Sequence, residues 1–368
     1  MQPKVRVTYT MKNLILILIS AVGVQAAIAQ TGAKLIEVAE FGRYQPIGLA
    51  VSQDAPTGRV FVTFPKRNPY QFGLAELVNG QRKPYPNAEW NQWDSLQPRD
   101  RFVNVQALFV DQTNSLWVLD PANPAEYPPF TDGIKLLKIN LMQNKVERIY
   151  RFDDLPRNQL GLNDVQVDSQ RQIAYLSDPR RSAIVVLDLA TGKSRTVLEK
   201  HPSTSADPRF RLVIDGKEVA DQAGRPFSSN VNGIALTHDF RYLYYRAINQ
   251  TSLYRIATDL LTNSDLSPEQ LAAGVETMGE TGVSHGMIAD KAGNVYLTDS
   301  PNKALRRFTP GRKLETVVQD DRLLWPDSFG ISPDGYLYVT AAQIQRTARY
   351  NNGQDKVSYP FRLYKVKL

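Results

Sequence analysis

The stretch SHGMIADKAGNVYLTDS at residues 284–300 decides the predicted fold of this chain. It contains a short apolar run, a turn at residues 291–294 and a second apolar run that ends in an acid. Two short β-rich runs joined by a tight turn are the signature of a β-hairpin. The same pattern recurs along the chain, so the hairpin is the unit from which the fold is built.

Five further stretches can be aligned with this hairpin, which gives six copies. Their first strands begin 42 to 69 residues apart, which leaves room for two more strands in each unit. Regular self-similarity indicates a repeat architecture, and four strands per repeat are typical of a propeller blade. We therefore predict an all-β, six-bladed β-propeller. The six starting positions are Ile47, Gln106, Asn163, Asn232, His285 and Asp327.

The two ends of the propeller region carry alternating apolar and polar residues without a hairpin of their own. These segments are KLIEVAEF at residues 34–41 and FRLYKVKL at residues 361–368. A ring of sheets leaves no open edge only if its first and last blades are tied together. We predict that both segments are strands of the sixth blade and that their pairing closes the ring.

The N-terminus has the pattern of a signal peptide. An apolar run at residues 14–24 follows Lys12, is too short to span a bilayer, and precedes an A-x-A cleavage pattern at residues 27–29. We predict a leader over residues 1–29, with Met11 as an alternative start, and one propeller domain over residues 30–368. The mature chain would be secreted or periplasmic, without stable membrane insertion. An uncleaved N-terminal anchor is the alternative.

Composition excludes several classes of function. The chain has no Cys, which rules out disulfide frameworks and thiolate metal sites. Its net charge is +7, but Lys4, Arg6 and Lys12 lie in the predicted leader, and the remaining basic residues are scattered. Nucleic-acid binding requires a clustered basic surface, so no nucleic-acid partner is expected. The sequence gives no indication of the oligomeric state.

The first residues of the inner strands are expected to meet at one mouth of the central channel. Five of the six are polar, and Asp164 follows one of them directly. Convergent polar groups in a concavity are the usual pattern of a ligand site, although each residue alone could bond only to loops or water. We predict a small-molecule site formed by Gln106, Asn163, Asp164, Asn232, His285 and Asp327.

Two of these residues are candidates for catalysis. His285 and Asp327 begin neighbouring inner strands, so a hydrogen-bonded His–Asp pair is expected to be within reach. Such a pair could act as a general base, because the carboxylate would orient the imidazole and raise its basicity. No nucleophile elbow, metalloprotease motif or phosphate loop accompanies the pair.

Four segments resemble the major royal jelly protein/Yellow family. They are NVQALFVD and LWVLD within residues 104–120, GIKLLKINLMQNKVERIYRF at 133–152, LNDVQVD at 162–168 and WPDSFGISPDGYLYVT at 325–340. The resemblance implies a secreted six-bladed propeller. Family members include nutritive proteins, dopachrome-isomerase candidates and salivary amine-binding proteins, and bacterial relatives are described as hydrolases. Amine binders have an Asn where this chain has Ala342.

A more distant resemblance is to the calcium-dependent gluconolactonases, through NGIA at residues 232–235 and HGM at residues 285–287. It implies metal ligands at Asn163 and Asn232. This chain has His285 where that family has Asp, and no acid at residues 45–47. Calcium prefers several charged oxygen ligands, so we expect no cofactor and no metal. Calcium held through Asn163 and Asn232 is the alternative.

Three classes of function follow, in order of preference. The first is a non-catalytic binder of a small polar or aromatic molecule at the channel mouth. The second is an enzyme that uses the same mouth, either a lactonase- or esterase-like hydrolase or a dopachrome-type isomerase. The third is a protein-interaction scaffold. The Pro-rich loops at residues 83–93 and 121–130 either pack against blade edges or cover the ligand.

Overall fold

The computed structural model describes Met1, Pro3, Lys4 and residues 33–125 and 128–368. The chain divides into two units, residues 1–31 and 32–368, and the second is the propeller. The predicted signal peptide over residues 1–29, including the alternative start at Met11, lies almost entirely outside the described residues. Within the part of the chain that is described, no helix is both long and apolar enough to cross a membrane.

The propeller consists of six antiparallel four-stranded sheets, as predicted. Blade 1 consists of β2 (Leu49–Val51), β3 (Val60–Thr63), β4 (Leu74–Val78) and β5 (Gln81–Pro84). Blade 2 consists of β6 (Ala107–Val110), β7 (Ser115–Asp120), β8 (Lys135–Asn140) and β9 (Lys145–Tyr150). Blade 3 consists of β10 (Val165–Asp168), β11 (Ile173–Asp178), β12 (Ala183–Asp188) and β13 (Ser194–Val197).

Blade 4 consists of β16 (Val231–Leu236), β17 (Tyr242–Ala247), β18 (Ser252–Ala257) and β19 (Val275–Glu280). Blade 5 consists of β20 (Met287–Ala289), β21 (Val295–Asp299), β22 (Ala304–Phe308) and β23 (Leu314–Gln319). Blade 6 consists of β24 (Pro326–Ile331), β25 (Tyr336–Ala341), β26 (Arg362–Lys367) and β1 (Ile36–Glu40). A separate hairpin pairs β14 (Val213–Ile214) with β15 (Lys217–Glu218).

Short helical segments lie between the strands. The α-helices are α1 (Ala88–Asn91), α2 (Thr258–Thr262) and α3 (Pro268–Ala273), and the 3-10 segments are Thr131–Gly133, Arg157–Gln159, Ile344–Arg346 and Ala348–Tyr350. Helix α3 begins at a capping box in which Ser267 and Gln270 each bond the other's backbone N–H.

The N-terminal strand β1 closes the ring. It pairs antiparallel with β26, with Ile36 opposite Lys365 and Glu40 opposite Arg362. Arg362 also forms ion pairs of 3.1 Å with Glu37 and Glu40. The sixth blade is therefore assembled from both ends of the propeller region, which confirms the predicted closure.

Each pair of neighbouring blades encloses its own apolar cluster, to which a recurring aromatic side chain contributes. This side chain lies at one position of the second strand in every blade and is almost fully buried. Its apolar area gives each blade interface a contribution of roughly 1.5–3 kcal/mol from a single residue. The aromatic residues are Phe61, Trp117, Tyr175, Tyr244, Tyr296 and Tyr338. These residues hold the blades together and do not form a ligand box.

Candidate functional site

All six residues predicted to begin the inner strands line one cavity of about 520 Å³ at a mouth of the channel. Neighbours in the ring contact each other: Gln106 donates a 3.3 Å hydrogen bond from its amide to Asn163. The predicted convergence is therefore present in the structure. The lining positions are Ile47, Gln106, Asn163, Asn232, His285 and Asp327.

Asp164 lies elsewhere, although the sequence grouped it with these residues. Its carboxylate accepts the backbone N–H groups of Val165 at 2.8 Å and of Ile234 in the next blade at 3.0 Å. It lines a second cavity, of about 610 Å³, toward the opposite end of the inner strands. Burial, with a smaller contribution from the charge of Asp327, raises the pKa of Asp164 to about 7 against the two backbone hydrogen bonds. Its structural role is to join blades 3 and 4.

Glycines beside the mouth residues bring neighbouring inner strands into backbone contact. In three blades a glycine directly follows the mouth residue, and an added Cβ there would overlap a carbonyl oxygen of the next blade. The missing side chain is therefore what allows the ring to be this narrow. The Cβ-to-oxygen distances would be 2.3 Å from Gly48 to Gln106, 2.6 Å from Gly233 to His285 and 1.8 Å from Gly286 to Asp327.

Hydroxyl side chains on the second strands fix the mouth residues in place. Thr63 accepts the backbone N–H of Gly48 in its own blade at 2.7 Å and donates to the carbonyl of Gln106 in the next blade at 2.9 Å. Because the donors and acceptors of these bonds are paired and shielded from water, the bonds fix the inner strands of neighbouring blades relative to each other. Ser177 links Asp164 to Asn232, and Thr340 links Ser328 to Ile47, in the same way. Sequence reasoning missed them, although a Thr or Ser recurs at this position.

Two insertions roof the mouth cavity. Residues 201–229, which include the β14–β15 hairpin, contribute Asp221, Arg225 and Phe227, and residues 342–361 contribute Arg349 and Tyr350. The hairpin packs its apolar side chains into the same cluster as Ile47 and Trp325. None of these roof residues was predicted, because nothing in the repeat pattern places an insertion above the channel.

The Pro-rich loops at residues 83–93 and 121–130 do not form the roof. No described residue of either loop lines the mouth cavity. Instead, Tyr85 packs on Phe61 with ring centroids 4.8 Å apart, and Trp90 packs on Phe102 at 5.2 Å. The described residues of these loops therefore pack against the blades, as the first alternative predicts, and do not cover the mouth cavity.

Aromatic rings form one wall of the cavity. Trp325 stacks on His285 with centroids 4.0 Å apart and meets Phe227 edge-on at 5.3 Å, while Phe227 meets Tyr350 at 6.1 Å. Trp325 has a φ of 54°, a left-handed backbone conformation that a bulky residue rarely adopts. Such strain is maintained only where the surroundings hold it. Ala342, the residue that departs from the amine-binder pattern, is fully buried in the same cluster.

His285 does not form the expected hydrogen bond with Asp327. Its side chain is 3% exposed, and neither ring nitrogen has a hydrogen-bond partner among the described residues. Burial, together with the positive charge of the buried Arg246, lowers the pKa of His285 to about 3. The imidazole is therefore neutral and weakly basic, and the hydrogen bond that a His–Asp general base requires is not present between the two side chains.

Asp327 is a residue of the mouth cavity whose carboxyl group can change its protonation state near neutral pH. Its carboxylate accepts a hydrogen bond of 3.3 Å from the hydroxyl of Ser328 and another from the side chain of Trp325. Burial raises the pKa of Asp327 to about 6, while the bond from Ser328 and the charge of Arg67 act in the opposite direction. A carboxyl group that titrates near neutral pH can take or give a proton under ordinary conditions.

The residues at the lactonase-like positions are a poor fit for calcium. Asn163 already accepts a bond from Gln106, and Asn232 donates to Ser229 at 3.3 Å. The third position is the imidazole that stacks on Trp325. Among the described residues no group of three or more His, Asp or Glu side chains could hold a metal ion. Two amides and an imidazole lack the negative charge that a hard dication requires.

The absence of calcium binding remains a prediction. We expect that chelation with EDTA shifts the melting temperature by less than about 1 °C and that titration calorimetry of the stripped protein detects no micromolar calcium site, since a ligand that binds only the folded state would raise stability. A micromolar site would contradict the prediction and favour the lactonase alternative.

The fold and the site define a class: a six-bladed propeller with a roofed polar and aromatic cavity at one mouth of its channel. The family model for the major royal jelly protein matches residues 103–368, and the chain belongs to that family.

Curated relatives agree with this assignment, and a solved structure of low sequence identity has the same fold. The chain is 24% identical to major royal jelly protein 1 of Apis mellifera over 66% of its length, and 22% identical to a Yellow-related salivary protein of Phlebotomus orientalis over 61%. The matches span 57% and 59% of those relatives. A gluconolactonase from Xanthomonas campestris has the same fold, with a TM-score of 0.55, 10% identity and coverage of 91% of this chain and 90% of that one.

Proposed function

We propose that this protein binds a small polar or aromatic molecule at the channel mouth. The observation that carries the proposal is the convergence of all six inner-strand starts on one roofed cavity of about 520 Å³. That volume falls within the range of small-molecule sites, about 300–1,000 Å³. A single concave site that combines amides, charges and aromatic rings is the usual arrangement for orienting a small ligand.

The unpartnered nitrogens of His285 support this proposal. A buried polar atom without a hydrogen-bond partner is unfavourable, by about 1–3 kcal/mol in protein mutational data. Both ring nitrogens are buried and unpartnered at a residue that lines the cavity. A bound molecule with a hydroxyl or amide group would satisfy one of them.

Ligand-observed NMR with a library of small aromatic and polar molecules tests the proposal. We expect His285→Ala and Asn232→Ala each to weaken binding of the library molecules that bind wild type by roughly 2- to 10-fold, the effect of one lost hydrogen bond. The fold should remain intact in the Asn232 variant, because that side chain is only half-buried at the cavity rim.

The matched control is His238→Ala. His238 is exposed and lines the second cavity, at the opposite end of the channel. Its truncation should leave binding unchanged. If His238→Ala weakened binding while the two mouth variants did not, the ligand would occupy the opposite cavity and the proposal would be wrong.

An enzyme that uses the same mouth is the second candidate, and the raised pKa of Asp327 favours it. Because His285 is weakly basic, the proton-transfer role in a lactonase- or esterase-like hydrolase or a dopachrome-type isomerase falls to Asp327. If wild type turns over lactones, esters or dopachrome, Asp327→Asn should reduce the rate by about 10²-fold or more. Retention of full activity in that variant would remove Asp327 from catalysis.

The site of action follows from the leader. We propose that the propeller is exported, secreted or periplasmic, and that it acts there as a mature chain from Gln30. N-terminal sequencing of the exported protein tests this, since an intact residue 1 or 11 would indicate that the leader is retained.

A further inference from the structure

Two arginines that line the mouth cavity lack a carboxylate partner. Arg67 donates one hydrogen bond, to the side-chain oxygen of Gln45, and takes part in no ion pair with a described residue. Arg349 is exposed at the rim and makes no hydrogen bond with a described residue; its guanidinium lies 5.3 Å from the ring centre of Tyr350. In contrast, Arg225 is bound to Asp221 at 2.8 Å.

The two unpaired guanidinium groups repel each other. Burial lowers the pKa of Arg67, and the charge of Arg349 lowers it further, against the opposing charge of Asp327. The cavity is lined by three arginines, two aspartates and the neutral His285, so its lining has an excess of positive charge. An anion placed between Arg67 and Arg349 would relieve this repulsion.

The aromatic wall lies in the same cavity. Phe227, Trp325 and Tyr350 line it together with both arginines. A flat ring in contact with these side chains would gain apolar burial and ring–ring attraction. Guanidinium groups bind carboxylates through paired, charge-assisted hydrogen bonds.

We propose that the mouth cavity selects small aromatic carboxylic acids, with the carboxylate on Arg67 and Arg349 and the ring against Phe227, Trp325 and Tyr350. This inference rests on the proposed ligand-binding function and adds the chemical class of the ligand. It also predicts discrimination against aromatic amines, whose cationic group would be placed beside two unpaired cations.

Asp327 is the feature that would attract an amine instead. At pH 7 it carries most of its negative charge, but the charge of Arg67 acts on it within the same cavity. The charged and titratable groups that line the cavity with it are Arg67, Arg225, Arg349, Asp221, Tyr350 and His285, and Asp164 in the second cavity is also influenced by its charge. Since Asp327 becomes neutral as the pH falls through about 6, binding of an acid should tighten between pH 8 and pH 5.5. Asp327→Asn should remove most of this slope, and an unchanged slope would contradict the assigned role of Asp327.

Three molecules with one ring system test the inference by titration calorimetry: 4-hydroxyphenylacetate, its neutral amide and tyramine. We expect the acid to bind at least 10-fold more tightly than the amide, and tyramine to bind more weakly than both. Arg349→Met and Arg67→Met should each weaken acid binding by about 10- to 100-fold, as expected for a lost charge-assisted hydrogen bond. Their effect on amide binding should be small.

The control variant is Arg312→Met, which removes one positive charge from a turn of blade 5 outside the cavity. It should leave acid binding within 2-fold of wild type. A loss equal to that of Arg349→Met would mean that net charge, and not the cavity, sets the preference. Melting temperatures of all variants identify any that fail to fold.

The outcomes separate this inference from the proposed function. Tighter binding of tyramine than of the acid, weakened by Asp327→Asn, would overturn the inference while the ligand-binding function stands. If none of the three molecules binds but the fragment library yields neutral ligands sensitive to Asn232→Ala, the inference again fails alone. If the library yields no mouth ligand, both fail.

Discussion

Gly286→Ala is expected to prevent the propeller from folding to a stable ring. The added Cβ would lie 1.8 Å from the carbonyl oxygen of Asp327, 3.0 Å from its carbonyl carbon and 3.4 Å from the Cα of Ser328. All three are backbone atoms, so no side chain can move aside. Overpacking of a core position typically costs about 1–3 kcal/mol, and here two inner strands must separate. We expect a loss of more than about 3 kcal/mol, or insoluble protein.

Gly311→Ala is the matched control within the same blade. Gly311 lies in the turn between β22 and β23, its φ is ordinary, and the nearest atom to an added Cβ is a Thr309 oxygen at 3.8 Å. Its melting temperature should stay within about 2 °C of wild type. If Gly286→Ala melted as Gly311→Ala does, the close backbone contact of blades 5 and 6 would be contradicted.

Deleting residues 30–42 is the second change with a large expected effect. It removes β1, leaves the outer edge of β26 unpaired and exposes the surfaces that cover Leu35, Ala39 and Phe41, which are all buried. The lost packing and strand pairing amount to several kcal/mol. We expect the melting temperature to fall by about 10 °C or more, measured by circular dichroism.

A point variant checks the same closure without shortening the chain. Phe41 meets Phe64 of the first blade edge-on with centroids 5.1 Å apart. Phe41→Ala should cost about 3–5 kcal/mol, whereas Leu96→Ala, at a residue 90% exposed, should change stability by less than about 0.5 kcal/mol. An unchanged melting temperature in the deletion variant would show that β1 does not close the ring.

The repeat pattern was sufficient to predict the fold and the ring of mouth residues. The alternation of apolar and polar residues and the recurring hairpin depend on local sequence. Six copies of one four-stranded unit can form a closed ring in few arrangements. The strand starts then follow, because equivalent residues of each blade face the same channel. For this reason His285 and Asp327 were correctly placed in one cavity.

The roof and the protonation of the site required the structure. Nothing local in residues 201–229 or 342–361 indicates that they fold back over the channel, so Phe227, Tyr350 and Arg349 were missed. The neutral state of His285 depends on its burial and on Arg246, which is distant in sequence. Asp164 lies outside the mouth cavity because its carboxylate accepts a hydrogen bond from the backbone N–H of Ile234 in the neighbouring blade.

The central claim is that the roofed mouth cavity is the ligand site. A crystallographic fragment screen with aromatic and polar molecules tests it most directly, because it shows where each molecule binds. We predict that density for bound fragments lies among His285, Trp325 and Arg67, with ring contacts to Phe227 or Tyr350. Fragments found only in the second cavity beside His238, or only on outer blade surfaces, would contradict the claim.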